Sequence, residues 1–182
     1  MKIYLVRHGQ TDWNKEMRAQ GRKDIPLNAV GRAQAEELHE KIKDSNFDAV
    51  YASPLSRAAE TAKIAIGGKY VINYDNRLVE RSFGDYEGKI IVAWLDLVEG
   101  VDISDVSLDE IPRGVETAKS MLQRAGNFIN DLKLQYSSDA KILVFGHGGM
   151  FRAFDWILLK RNGNSLTEAN NLKHAEIKEY EI

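Results

Sequence analysis

Two histidines and two arginines stand where predicted strands end. Arg7 and His8 close the run KIYLVRHG, Arg57 sits just inside the helix after a second strand, and His147 follows KILVFG at a helix entrance. In an open α/β sheet ligands bind at the carboxyl ends of the strands, so these side chains, distant in sequence, converge on one edge. Arginine offers planar, paired donors that match phosphate oxygens and keeps its charge at any working pH. Neutral imidazole is a good nucleophile, and a neighbouring guanidinium disfavours its protonation. A transferring phosphoryl group spreads charge over its equatorial oxygens, so donors around it are the chief catalytic need. Gly9, Gly146, Gly148 and Gly149 leave room for close backbone approach, and a helix starting after His147 can aim free N–H groups at an anion. The set describes a phosphate pocket with a nucleophilic histidine inside it. Cleaving a phosphate ester also needs a group that protonates the leaving alkoxide and then activates water. Glu80, in RLVERSFGDYEGK, is the choice because it closes an apolar strand-like piece before a Gly-marked loop; Asp75, Asp85 and Glu87 lie close by as alternatives.

The elements that position these residues follow from pattern. The opening run is β-branched and aromatic and reads as a buried strand stopped by Gly9; Gln10 to Leu27 reads as loop. Asn28 caps a helix to about Asp44, Phe47 to Ala52 form a second strand, and Ser53-Pro54 read as N-cap and first helical position of a helix through Ile66. Gly67-Gly68 make a turn, and Tyr70 to Tyr74 a third strand. The stretch from Glu80 to Arg113 is less regular, with a short helix around Ile90 to Val98. Apolar residues at helical spacing predict a helix from about Val115 to Tyr136; Lys141 to Phe145 form another strand, followed by an apolar helix to about Lys160 and a late strand within Ala175 to Ile182. Strands alternating with helices imply an α/β fold: one three-layer domain over residues 1–182, with a mostly parallel central sheet flanked by helices.

Composition bounds the chemistry from outside. With 182 residues the chain can enclose a full core, and 25 Lys+Arg against 27 Asp+Glu leave a net charge of −2, which gives no support to nucleic-acid binding. There is no cysteine, so thiol catalysis, disulfides and Cys-ligated metal are excluded. The apolar run Ile3 to Val6 is too short for a signal-peptide core or a membrane span, and the cytoplasm is the expected location.

At these residues the sequence resembles the histidine phosphatase superfamily, in its phosphoglycerate-mutase-like branch. The likeness runs through LVRHGQTDWN, QGRKDIPLNAVGRAQA, SPLSRAAETA, DNRLVERSFGDYEG and VFGHGG, in family order. It implies that His8 is the nucleophile forming a phosphohistidine, that Arg7, Arg57 and His147 surround the phosphoryl group, and that Glu80 is the proton donor. It further implies that Asn14 donates to a phosphate oxygen, that Gln20 contacts the phosphate and that Gly148 offers a backbone N–H. The expected activity is a phosphatase acting on a small phosphorylated metabolite, with no metal or organic cofactor and neither nucleic acid nor membrane as partner. The alternatives are a phosphoglycerate mutase and a non-catalytic phospholigand-binding domain.

Two departures bear on the substrate. From Ile90 to Ile111 stand Asp96, Glu99, Asp102, Asp105, Asp109 and Glu110 with no Lys or Arg, so a segment over residues 81–115, read as a substrate-specificity lid, would repel a second anionic group. Arg81, Lys89 and Arg113 flank it. The family's Gly-Gly-Glu-Ser pattern is altered to Arg113-Gly114-Val115-Glu116-Thr117. His39 and His174 read as surface residues, Trp94 and Trp156 as core, and Trp13 as packing for its loop.

Overall fold

A computed structural model describes residues 1–90, 97–98, 101–102, 104–163, 165–166 and 172–182. Strand β1 spans Lys2–Arg7, β2 Ala49–Ala52, β3 Ile72–Tyr74, β6 Lys141–Gly146 and β7 Ile177–Glu181, and these five form one sheet in the order β3-β2-β6-β1-β7. The first four are parallel; β7 runs antiparallel to β1, with Val6 opposite Ile177. A separate two-stranded ribbon pairs β4, Leu97–Val98, with β5, Val101–Asp102.

Alternation along the central strands sends side chains to both faces, as a sheet covered on both sides requires. On one face Ile3, Leu5, Ile142 and Val144 pack with Met121, Phe128 and Ile129 of α4 (Ala118–Gln135) and Phe151 and Phe154 of α5 (Gly148–Leu158). On the other, Val6, Leu143 and Phe145 pack with Leu38 and Ile42 of α2 (Ala29–Ile42) and Ala62, Ala65 and Ile66 of α3 (Ser56–Ile66). Burying a large apolar side chain contributes about 1.5–3 kcal/mol, so these two layers fix the sheet. Among the described residues no helix is long and apolar enough to cross a membrane.

The α/β architecture follows the expected order, with local differences that have physical reasons. Asn28 does cap α2, accepting from the Gly31 N–H at 2.9 Å. The stretch read as loop contains one helical turn, α1 (Asp12–Lys15), capped by Thr11. The third strand loses Tyr70, whose hydroxyl instead donates to the Ser45 carbonyl and accepts the Phe47 N–H. Helix α4 starts at Ala118 under a Thr117 cap, because Val115 is buried against Ile111 and bridged to Phe83. Ser53 and Pro54 do not open α3: Leu55 is its extended N-cap residue and Ser56 its first, which leaves the Ser53 side chain for another task. Of the short helix expected over 90–98, residues 91–96 lie outside the described residues, as does Trp94, while Leu97 and Val98 are extended. Trp156 is half-buried on α5, and Trp13 packs its ring against Gly88.

The last strand is fastened from two sides. It pairs with β1 through the backbone, and Lys178 and Tyr180 donate to the buried Asp155 of α5 at 2.8 and 2.7 Å.

Candidate active site

Register brings the strand ends level. Arg7 lies opposite Gly146, the His8 N–H donates to the Gly146 carbonyl at 3.0 Å, and the Ser53 N–H donates to the Phe145 carbonyl at 2.9 Å. The residues after β1, β6 and β2 are therefore neighbours, and the His8 and His147 rings stand 5.2 Å apart. A Cβ at Gly9 would lie 2.4 Å from the Gly31 carbonyl oxygen, so only glycine lets the chain leave β1 against α2 in this way.

The His8 ring is buried, and its Nδ1 is 2.7 Å from the Gly9 carbonyl. A carbonyl oxygen only accepts, so Nδ1 carries the hydrogen and the lone pair is left on Nε2. Burial, then the charges of Arg57 and Arg7, hold the ring well below the usual imidazole range. The guanidinium effect expected from sequence is present, but desolvation is the larger cause.

His147 is fully buried and likewise held well below its usual range, first by burial and then by Arg57. Its Nε2 is 2.8 Å from the Ser53 hydroxyl, which already accepts the Leu55 N–H at 3.3 Å. The hydroxyl keeps a second lone pair beside its own hydrogen, so the direction of the bond to Nε2 follows the tautomer of the ring; His147 Nδ1 is buried and has no partner among the described residues.

Arg57 is the largest fully buried side chain of the described residues. Its Nη1 and Nη2 donate to the carbonyls of Lys23 and Gly21, each at 2.8 Å, while Nε is buried and has no partner among the described residues. Burial lowers its pKa to about 10, the nearby Glu80 opposing. Arg7 donates through Nη1 to the Leu172 carbonyl at 2.8 Å, and its Nε is also buried with no partner among the described residues. Unpartnered buried polar atoms are rare, since each forfeits its bonds to water. Here two guanidinium donors, Arg7 Nε and Arg57 Nε, and the ring atom His147 Nδ1, a donor in one of its two neutral tautomers, stand beside His8 without a partner among the described residues. An oxyanion is the chemistry that satisfies them.

Glu80 enters from the turn after the 3-10 segment Asn76–Leu78, close enough to Arg7 and Arg57 to act on their charges. It occupies the start of α5: Oε2 accepts the Gly149 N–H at 3.1 Å and Oε1 those of Met150 and Arg81 at 2.8 Å. A Cβ at Gly149 would lie 2.6 Å from Oε1, so glycine makes the room. Part of the sequence reading is thereby corrected, because the Gly149 and Met150 N–H groups of this helix start are engaged by a carboxylate of the chain itself. At Gly148 a Cβ would stand 3.2 Å from the Arg7 guanidinium, so its smallness serves the approach of Arg7.

The two loop residues are placed differently. Gln20 is buried, its Oε1 without a partner among the described residues, next to the Gly21 carbonyl that holds Arg57. Asn14 is half-buried and uses its Oδ1 in the α1 capping box, accepting from the Thr11 N–H at 3.1 Å and hydroxyl at 3.0 Å; its amide nitrogen is not consumed by that bond.

Four features were not foreseen. Ser53, read as a cap, is the partner of His147. Thr61 accepts the Gly9 N–H at 3.0 Å and donates to the Arg57 carbonyl at 2.7 Å, tying the His8 loop to α3; its position one helical turn after Arg57 was an available signal. Glu116 forms a two-pronged pair with Arg124 at 2.8 Å through each oxygen, and Arg124 also donates to the carbonyls of Arg77 and Val79, just before Glu80. His174, expected on the surface, lies with its ring 5.9 Å from that of His8. Nothing local in the sequence signals this, because the antiparallel pairing of β7 with β1 brings it there.

The chain matches the family described as Histidine phosphatase superfamily (branch 1) over residues 3–182. It is 35% identical over 155 residues to the "Uncharacterized phosphatase PhoE" of Bacillus subtilis, covering 83% of this chain and 74% of that protein. It is 38% identical over 154 residues to the "Probable phosphoglycerate mutase GpmB" of an Enterobacter species, covering 81% and 70%. Among solved structures it is similar to a mycobacterial glucosyl-3-phosphoglycerate phosphatase complexed with VO3, at a TM-score of 0.84 and 26% identity, covering 98% of this chain and 90% of the other.

Proposed function

Because the chain belongs to the histidine phosphatase superfamily (branch 1), we propose that it hydrolyses a phosphomonoester of a small metabolite through a phosphohistidine on His8. One observation carries this reading: two buried guanidinium donors and a buried imidazole nitrogen, none with a partner among the described residues, gather around a histidine held neutral, with its lone pair on Nε2. In the first half-reaction the His8 Nε2 lone pair attacks phosphorus in line as the ester P–O bond breaks. Protonated Glu80 gives its hydrogen to the departing oxygen. In the second, Glu80 as carboxylate takes a proton from water, whose oxygen attacks phosphorus while the P–N bond breaks, releasing inorganic phosphate. Arg7, Arg57 and His147 donate to the equatorial oxygens as their charge grows, which is where preorganised donors act most strongly. Asn14 and Gln20 complete the oxygen contacts from the loop, and Gly148 adds its backbone N–H while its missing Cβ leaves room for Arg7.

The covalent carrier and the positive charge both come from side chains, so the reaction needs no metal or organic cofactor. The proposal includes a cytoplasmic location and neither nucleic acid nor membrane as partner. Hydrolysis is favoured over mutase chemistry because the 81–115 segment is acidic at Asp102, Asp105, Asp109 and Glu110, and Asp102 acts on the buried Arg81. A second anionic group on the substrate would meet these charges. Such a segment selects small monophosphates.

The test is the phosphoenzyme. With a radiolabelled monoester the parent forms an acid-labile, base-stable adduct and releases inorganic phosphate without added 2,3-bisphosphoglycerate. His8→Ala forms no adduct and loses at least about 1,000-fold in kcat/KM. Parent-like turnover of an aryl phosphate by His8→Ala would overturn the mechanism.

A further inference from the structure

The sequence around His174 carries no motif, yet the fold fixes this residue against the nucleophile. Antiparallel pairing of β7 with β1 continues past the strand: the Arg7 N–H donates to the Glu176 carbonyl at 3.3 Å and the Ala175 N–H to the Arg7 carbonyl at 2.9 Å. The Arg7 side chain then reaches over to the Leu172 carbonyl at 2.8 Å, so one arginine holds the turn at three points. The turn is sharp, with Ala175 at φ +53 and the Lys173 N–H on the Glu176 carboxylate. Beyond it, Asp155 anchors β7 through Lys178 and Tyr180. The ring is therefore placed by the same bonds that place Arg7.

That placement leaves one ring nitrogen conspicuous. His174 Nε2 is buried and has no partner among the described residues. A neutral imidazole can carry its hydrogen on either nitrogen, and the tautomer follows the hydrogen bonds on offer. The neighbours acting on His174 are burial and the Arg7 charge, both of which keep the ring neutral, with a pKa of about 4. A neutral ring can donate one hydrogen bond through Nε2 without adding a full charge beside the phosphoryl group.

We propose that His174 is a third imidazole of the active site, donating its Nε2 hydrogen to an oxygen of the phosphoryl group on His8. It joins Arg7 Nε, Arg57 Nε and His147 Nδ1 as a fourth donor, approaching from the β7 side while His147 approaches from the β6 side. The assignment rests on the phosphate-site reading above and deepens it, because it explains why a terminal strand is tied so firmly to the end of β1.

The experiment uses the full chain, with orthovanadate as the phosphoryl probe and an aryl phosphate as substrate. His174→Phe keeps a ring of similar shape and removes the donor; His174→Gln removes the ring and restores an N–H near the Nε2 position. His174→Phe is expected to bind vanadate about 10- to 100-fold more weakly and to lose a similar factor in kcat/KM, with His174→Gln recovering most of both. Parent-like vanadate binding by His174→Phe overturns the assignment, as does an equal loss in the Phe and Gln variants. Should the variants unfold, 15N-histidine spectra of the parent decide: vanadate shifts the His174 Nε2 resonance if the bond forms, and an unmoved resonance overturns it. A parent that binds vanadate but releases no phosphate sinks the hydrolase reading alone, and the Phe comparison still tests the donor. A parent that binds no vanadate overturns the donor assignment.

Discussion

The floor of the site and its Glu80 wall are built by different means. On the floor, Arg7, His8, Ser53 and His147 are placed by backbone bonds between β1, β6 and β2, with apolar layers packed on both faces. The wall runs through residues 75–90 and 104–116 and has a small apolar cluster, Ile111 and Val115 with Phe83, Tyr86 and Leu108. Charge holds it instead. Arg77 joins Asp75 to Asp131, Arg124 joins Glu116 to the Val79 carbonyl, and the Arg81 Nε donates to the Glu116 carbonyl at 2.7 Å. Where the sheet carries the geometry, arginine donors are left over for a ligand. Where the sheet ends, arginines are consumed in holding the chain.

This contrast predicts that floor and wall substitutions separate activity from stability. Among substitutions that leave the nucleophile in place, the largest effect on activity is expected at Arg57. Arg57→Met should lower kcat/KM by about 100- to 1,000-fold, the scale for removing a preorganised transition-state donor. Its stability should change by less than about 1.5 kcal/mol, because relief of a buried charge offsets two lost bonds to carbonyls. Urea unfolding beside steady-state kinetics would check both, and a large stability loss with intact activity would erase the contrast.

On the wall the balance should reverse. Burial pushes the Glu116 carboxyl up, but the Arg124 bond and charge outweigh it and leave the group below its usual range. Glu116→Gln breaks a buried pair and should cost about 3 kcal/mol in urea unfolding, with a loss of only about 10-fold in kcat/KM. That loss should fall harder on alkyl than on aryl phosphates, the leaving-group signature also expected of Glu80→Gln, because a displaced Glu80 protonates poorly. Equal losses for both substrate classes would mean that Glu116 does not act through Glu80.

The smallest effect is in pH dependence and belongs to the floor. His8 and His147 are neutral in the folded state far below 6.5, whereas their unfolded counterparts take up protons there. The folded pKa is depressed, so stability is lost as pH falls below about 6.5. His174 adds to the loss down to about 4. Between pH 6.5 and 5.5 the two fully buried rings together should contribute a drop of about 2 kcal/mol. The urea midpoint of the parent should fall over this range more than that of a His8→Ala, His147→Gln variant; matching slopes would show that the rings do not exclude protons.

Much of this was legible in residue types and spacing. The apolar runs before Arg7-His8 and Gly146-His147 mark strands whose ends carry chemistry, and parallel pairing follows from alternation with helices. Glu80 could be chosen but not located, because Asp75, Asp85 and Glu87 offer the same functional group within a few residues. Its place on the Gly149 and Met150 N–H groups is a contact across 69 and 70 residues, for which no local pattern exists. Ser53 was misread for a related reason: Ser-Pro is a common helix opening, and only the level ending of β2 and β6 turns its hydroxyl into a partner for His147.

What the sequence by itself determined is the reactive inventory. Two histidines and two arginines sit at strand ends, no thiol competes with them, and the apolar periodicities can close in few ways other than an α/β sheet. These are local properties, set by covalent order and hydrophobic pattern. Only the tertiary structure decided which nitrogen of His8 holds the lone pair, which helix start Glu80 occupies and that His174 stands beside the nucleophile. Those outcomes depend on hydrogen bonds and strand direction between segments far apart in the chain, and the direction of β7 is not written in β7.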